Sequence, residues 1–265
     1  MQVQPLTVGP IVGYTTGEHV RLWGRGAYEE EMGVPRRCIG VARIRSAKAR
    51  SWRAPRFVEM NPNFDMTSVI VFDELQPETH VEYQFGFFFS EVATRNLNAE
   101  LELDWSAIEP IRFRTASVNP EQARSFVFGS CRYLLKLFGG AWFDDRGDKT
   151  YRSILEQINS GRQVDAMLML GDQIYADDMI FVGHDKTLTQ FNQRYQDSFT
   201  QPYIRQLMSR VPTYMTLDDH EIEDGWPEKA SSADWTTKYP AAIHSLLTYQ
   251  LSHSPVYELK PQRQL

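Results

Sequence analysis

The stretch that most restricts the fold of this chain is Val164 to Tyr175. Its apolar run, Met167-Leu-Met-Leu170, stops abruptly at Gly171-Asp172, and Tyr175 follows three residues later. A run of this length and composition reads as a strand buried on both faces, the pattern of a parallel sheet covered by helices. Glycine turns the chain there, so Asp172 stands just past the C-terminal end of the strand, the edge at which open α/β sheets bind ligands. A carboxylate and a phenol three positions apart can reach one strongly Lewis-acidic ion. They also fit a plain polar turn with Tyr175 packed on the sheet.

The same pattern recurs on either side. Ser125-Phe-Val-Phe-Gly129 is a predicted strand followed by Ser130-Cys131-Arg132, and Val211 to Leu217 is another, running into Asp218-Asp219-His220-Glu221. Between them the spacing predicts a helix over roughly Thr150 to Asn159, with Asp148 as its cap and Gly161 as its stop. Tyr151, Ile154, Leu155 and Ile158 fall on one face of it. Further helices are predicted over Thr187 to Phe199, Tyr203 to Ser209 and near Ala241 to Ser252, while Leu134 to Phe143 reads as an apolar loop. Strands alternating with helices imply a mostly parallel sheet. Arg146-Gly147-Asp148 is better read as helix capping than as an adhesion signal.

Three predicted strand ends on one sheet edge therefore carry ligand-type residues: Cys131; Asp172 with Tyr175; and Asp218, Asp219, His220 and Glu221. A metal site on an α/β scaffold needs this placement. Asp172 has two oxygens and can bridge ions about 3.5–4 Å apart. Thiolate and phenolate suit a trivalent ion such as Fe(III), and Asp219 suits a second, oxygen-loving divalent ion. His220 beside them can protonate a leaving alkoxide. Asp218 and Glu221 are additional candidates. Taken singly, each residue also has a structural account: a small buried thiol, a polar turn, a capped helix start.

Residues 1–116 read differently. Pro10 to Gly13, His19 to Gly26, Arg37 to Ile44, Val69 to Phe72, Val81 to Phe87 and Pro110 to Thr115 are short, mostly alternating runs separated by turn residues. They predict an antiparallel β-sandwich. Leu75-Gln-Pro-Glu-Thr-His-Val-Glu-Tyr83 resembles the Leu-x-Pro-x-Thr-x-Tyr corner of fibronectin type III modules, with Val81 in place of the corner tyrosine. Arg43 to Arg56 and Arg112 to Arg114 are read as solvated faces rather than a basic binding face. Trp23 and Trp52 are read as packing residues rather than sugar platforms. Phe87-Phe-Phe89 breaks the alternation and is expected to cover the contact with the second domain. Residues 117–124 are polar, contain Pro120, and read as a linker to a second domain at 125–265.

Composition narrows the function. The net charge is −6 and the sequence pI about 5.6, which gives no signal for nucleic-acid or membrane-surface binding. Cys38 and Cys131 fall in different predicted domains, so no disulfide framework is expected. No run approaches the roughly 18 apolar residues of a spanning helix. The first residues lack a basic segment followed by an apolar one. As written, the chain is expected to be soluble and cytoplasmic, or extracytoplasmic if it is a mature or differently exported form. His184, His244 and His253 have no motif context and are read as surface or packing residues. The sequence leaves the oligomeric state open.

Gly129-Ser-Cys131, Leu170-Gly-Asp-Gln-Ile-Tyr175 and Leu217-Asp-Asp-His-Glu221 together resemble the alkaline phosphatase D (PhoD-like) family of metallophosphoesterases. Tyr195, Arg205 to Leu207 and Pro212 follow that family's pattern too, and Gly-Asp-x-x-Tyr alone is shared with purple acid phosphatases. The resemblance implies an N-terminal β-sandwich followed by a calcineurin-like αββα metallophosphatase domain. It implies Cys131, Asp172 and Tyr175 as ligands of Fe(III), and Asp172 bridging to a Ca²⁺ site formed with Asp219. Zn²⁺ or Mn²⁺ are alternative ions. His220 matches a histidine that assists the leaving group or binds phosphate. The implied substrate is a phosphomonoester or phosphodiester. The family places further Asp and His ligands on a second sheet beyond the Asp-Asp-His-Glu motif. Here the chain reaches only Leu265, so one face of the sheet is expected to be uncovered. The alternative function is a catalytically silent fragment or binding module with an incomplete metal site.

Overall fold

The computed structural model describes residues 1–98, 101–137, 142–144, 146–177 and 185–256. The first half is built from β1 (Gln4–Pro5), β2 (Val8–Thr15), β3 (Val20–Arg25), β4 (Glu30–Glu31), β5 (Val34–Pro35), β6 (Cys38–Ser46), β7 (Arg56–Glu59), β8 (Thr67–Phe72), β9 (His80–Phe89) and β10 (Ile111–Arg114). These form an antiparallel sheet in the order β1-β9-β6-β7 with β10 on β9, a second antiparallel sheet β2-β3-β8, and the small β4-β5 hairpin. Alternation puts Val12, Val20, Leu22 and Phe72 of one sheet against Ala42, Ile44, Tyr83 and Phe85 of the other in a common core. The first half is thus β-rich, as its alternating runs predict.

Phe87 to Phe89 do not cover the second half. β9 is central in its sheet and is buried on both faces: Phe85 and Phe87 enter the core between the sheets, while Phe88 enters a separate cluster with Val3, Ile39, Val41 and Trp105. An apolar neighbour on each side removes the need for alternation. Trp23 is fully buried, and Trp52 is half-buried under the Arg43 and Arg45 guanidinium groups.

The second half contains β11 (Phe126–Gly129), β12 (Leu135–Leu137), β13 (Trp142–Asp144), α1 (Arg146–Asn159), β14 (Ala166–Met169), α2 (Leu188–Phe199), α3 (Pro202–Met208), β15 (Thr213–Met215) and α4 (Lys238–Leu246), the last continued by a π turn over Leu247–Leu251. β11, β14 and β15 form the predicted parallel sheet in the order β11-β14-β15. The predicted loop at Leu134 to Phe143 instead contains an antiparallel pair, β12 with β13. Residues 138–141, 145, 178–184 and 257–265 lie outside the described residues, and with them His184 and the polar C-terminal stretch.

The sheet's two faces differ. Val127, Met167, Met169 and Met215 pack into a core with α1, α2, α3 and α4 residues. On the other face Phe126 and Phe128 are 52% and 72% exposed, with half-buried Leu168 and Tyr214 in register beside Phe128. The expectation of a strand covered on both faces is therefore corrected, and the expectation of an uncovered face holds for the described residues.

The core of the second half recruits Val8, Ile11 and Trp23 from the first. Polar bonds reinforce this contact. Trp23 Nε1 donates to Thr248 O at 2.9 Å, Tyr83 Oη to Ser209 O at 2.7 Å, and Arg205 reaches Gly9 O and Leu6 O at 3.0 and 3.2 Å. Asp65 receives Arg25 at 3.0 Å and Gln196 at 2.8 Å, and also Tyr249 Oη.

Asp148 does not cap its own helix, because α1 begins two residues earlier. It is buried and caps α3 instead, accepting from the Tyr203 and Ile204 amides at 3.0 Å each and from Arg132 Nη2 at 3.1 Å. The free amides of a helix N-terminus need such an acceptor. Among the described residues no helix is long and apolar enough to cross a membrane.

Candidate metal centre

The loops after β11, β14 and β15 are stitched together by backbone. Leu170 N donates to Gly129 O at 2.8 Å, Cys131 N to Gly171 O at 3.3 Å, Arg132 N to Asp172 O at 2.9 Å and Thr216 N to Met169 O at 3.0 Å. Gly171 has φ +95° and lies so close to Asp218 that any Cβ there would collide with it. Glycine is required both for the turn and for the approach of the two loops.

This stacking brings the candidate side chains to one place. Asp172 is buried, and its Oδ2 lies 3.3 Å from Cys131 Sγ and 3.5 Å from Tyr175 Oη. Its Oδ1 accepts from the His220 amide at 3.3 Å. Ligand-type atoms of Asp172, Asp219 and His220 lie within 4.8 Å of one another. One carboxylate thus faces a thiol and a phenol with one oxygen and the Asp219–His220 turn with the other. Cys131 is exposed rather than a buried small hydrophobe. Both Cys131 (φ +57°) and Asp172 (φ +55°) sit in the left-handed region, which costs a residue with a side chain on the order of 1–2 kcal/mol.

The Asp218–Glu221 segment satisfies the capped-helix reading and the site reading at once. Asp218 caps a short 3₁₀ turn over Asp219–Glu221. Asp219 accepts from the His220 and Gly225 amides at 3.1 and 2.6 Å. Glu221 is 1% exposed and holds backbone: Oε1 accepts from Gln173 N at 2.7 Å and Gln250 Nε2 at 3.0 Å, and Oε2 from Asp172 N and Asp218 N at 3.0 Å each. Burial raises its pKa, against the pull of these donors. Glu221 therefore fixes the loops that carry Asp172 and Asp219, and Asp218 fixes the turn.

Sequence reasoning missed Asp177. It is buried, lies 2.9 and 3.1 Å from His220 Nδ1 through its two oxygens, and accepts from Asp224 N at 2.6 Å. Burial pulls the His220 pKa down, but the hydrogen bond and charge of Asp177, with Asp172 and Asp219, outweigh it and leave the imidazole above its ordinary value. The ring also packs against Tyr175, with centroids 4.3 Å apart. Burial, then the neighbouring Asp172 and Cys131, push the Tyr175 phenol well above the usual tyrosine range. The outlying histidines are packing residues where described: His244 stacks on Phe64 at 4.8 Å, and His253 is fully buried.

Comparison with known proteins fits this geometry. Residues 134–264 match the family described as PhoD-like phosphatase. A solved structure of PhoD superposes with a TM-score of 0.67 at 17% identity, over 94% of this chain and 46% of that one. The purple acid phosphatase PPD1 from yellow lupin (Lupinus luteus) seeds gives 0.56 at 12% identity, over 93% and 40%. No curated protein matches the chain. The chain thus spans less than half the length of either structure. The fold is that of the metallophosphatases. Within it, about half of the chain, residues 134–264, matches the PhoD-like phosphatase family. The family match begins after Cys131, so that residue's place in the centre rests on its contact with Asp172.

Proposed function

We propose that this chain carries the metal centre of a phosphoesterase that hydrolyses phosphomonoesters or phosphodiesters. The observation that carries this reading is the double-sided contact of Asp172, whose Oδ2 meets Cys131 and Tyr175 while its Oδ1 faces the Asp219–His220 turn. Packing a thiol and a phenol on a buried carboxylate is unfavourable for their ionised forms without a cation, so the donor set fits a bound ion. Cys131, Asp172 and Tyr175 would hold Fe(III). Asp172 and Asp219 would hold Ca²⁺, or Zn²⁺ or Mn²⁺ in its place. Bound there, the ions supply Lewis acidity and an activated water and neutralise the phosphate oxygens. His220, oriented by Asp177, donates a proton to the leaving oxygen. Residues 1–116 are read as a fibronectin type III-like β-sandwich, 117–124 as the linker and 125–265 as the metallophosphatase part.

Asp172→Asn in the full-length protein is expected to lose iron, the visible phenolate-to-iron absorption and turnover together. Retention of iron and rate sinks the assignment. A second reading, a catalytically silent binding module, is favoured by the presence of a single His/Cys/Asp/Glu cluster among the described residues. Metal analysis separates the two: two ions per chain supports the enzyme, and none after reconstitution supports the silent module.

A further inference from the structure

Glu221 is held from outside the metal-centre loops as well as from within them. Its carboxylate accepts from the Asp172, Gln173 and Asp218 amides, and Oε1 also accepts from Gln250 Nε2 at 3.0 Å. Gln250 comes from the π turn over Leu247–Leu251. Its Nε2 also donates to Tyr195 Oη at 3.0 Å, while its buried Oε1 has no partner. A flipped amide would set that carbonyl oxygen against the Glu221 carboxylate, acceptor against acceptor. Glu221 thus dictates the orientation of the amide and leaves a buried acceptor unpaired. An apolar side chain would fill the same space without that loss.

The first half sets where this turn lies. A helix end leaves its last carbonyls free, and here β2 and β3 take carbonyls of the turn and of the residues just after it. Trp23 Nε1 donates to Thr248 O and Arg21 Nη2 to Ser252 O, at 2.9 Å each, and Tyr14 N to His253 O at 2.8 Å. Gly13 lies so close to His253 that a Cβ there would collide with it. Tyr249 stacks on Tyr195 with centroids 5.0 Å apart, packs against Trp23 at 5.5 Å, and donates through Oη to Asp65. Thr248, Tyr249 and Gln250 are consecutive and buried. The two that bond to the first half therefore fix the one that bonds to Glu221. Short π turns within helices are uncommon and recur at functional sites.

We infer that Gln250 is a positioning residue of the metal centre, and that the N-terminal half holds it on Glu221 through the π turn. The inference rests on the reading of Asp172 as a metal ligand. The path runs from Trp23 and Asp65 to Thr248 and Tyr249, then to Gln250, Glu221 and the Asp172 amide. Each step is a hydrogen bond or a single peptide link. Groups that hold a ligand's own support set its aim and its affinity for metal. The β-rich half is then part of that support rather than a neighbour of the centre.

The test is amide hydrogen exchange in the full chain, in Gln250→Met, which keeps the length and loses the donor, and in Asp65→Asn. Exchange at the Asp172 and Gln173 amides, relative to those of Met167 to Met169 in β14, is expected to quicken about tenfold in Gln250→Met. A smaller factor in the same direction is expected in Asp65→Asn. A merely structural role would quicken strand and loop alike, and that result, or no change at either loop amide, overturns the role of Gln250. Acceleration in Gln250→Met with none in Asp65→Asn overturns the part given to the first half. Should circular dichroism show Gln250→Met misfolded, Asp65→Asn decides. Calorimetric titration of Mn²⁺ into the metal-free proteins should show binding about tenfold weaker in Gln250→Met, and equal affinity overturns the link to the centre. A parent chain that binds no Mn²⁺ fails the metal reading itself, whereas the exchange ratios uphold or sink the clamp on their own.

Discussion

His220 Nδ1 lies 2.9 Å from one oxygen of Asp177 and 3.1 Å from the other, so the carboxylate straddles that ring nitrogen. A buried carboxylate in this position fixes the ring's orientation and leaves Nε2 for chemistry. Asp177→Asn keeps the shape and removes the charge. Turnover is expected to fall by about 10–100-fold with metal content unchanged, because Asp177 touches none of the proposed ligand oxygens. Elemental analysis beside steady-state kinetics checks this; loss of metal in proportion to activity would show instead that Asp177 only holds the loop.

Glu221 is expected to matter for metal affinity without touching metal. In Glu221→Gln one amide group must face donors that now meet a carboxylate, at a cost of about 1–3 kcal/mol for each donor left unmade. Urea unfolding should show that loss, and chelator titration of the metal-loaded protein should show metal released more readily. Unchanged values in both measurements would mean that Asp172 is held by something other than the Glu221 clamp.

Arg132 and Asp148 form a buried pair at 3.1 Å that joins the loop after β11 to α1 and to the start of α3. Breaking one side of such a pair strands the other charge. Asp148→Ala is expected to destabilise the fold by about 3–5 kcal/mol, read as a lower denaturation midpoint at unchanged slope. A loss below about 1 kcal/mol, the range of exposed pairs, would contradict the burial of this one.

His253 gives the fold a pH dependence. The ring is fully buried, and burial pushes its pKa from 6.5 down to about 4, against a backbone hydrogen bond with Tyr249 and with Arg21 adding to the shift. The unfolded chain takes up the proton near pH 6.5 and the folded chain only near 4. The stabilising contribution is therefore complete above pH 6.5 and is lost as pH falls from 6.5 towards 4, by about 3 kcal/mol in all. Equilibrium unfolding at a series of pH values should show this slope in the parent chain and its loss in His253→Leu.

The parallel sheet and the residues at its edge were legible because each lies within a few positions of an apolar strand end. Cys131 follows Gly129 by two residues, Asp172 follows Gly171, and Asp219 and His220 follow Leu217. Local order is enough to read such a site. It fails where the partner is distant. Asp148 looks like a cap for the helix that follows it, but its amides belong to α3, more than 50 residues away. Asp177 draws no reading of its own until His220, 43 residues on, is placed against it. The signal that could have found it is its offset of five from Asp172, in the loop that already carries the phenol. Phe87 to Phe89 misled for a different reason: a strand covered on both faces carries no periodic mark of which neighbour covers it.

Cys131 and Asp172 both donate side chains from a backbone conformation that glycine alone adopts freely. Replacing either with glycine would relax the chain and silence the centre in one step. Improvement of thermal tolerance by selection on folding alone is therefore expected to erode this pocket first, so any engineering of the scaffold has to screen for metal binding from the start.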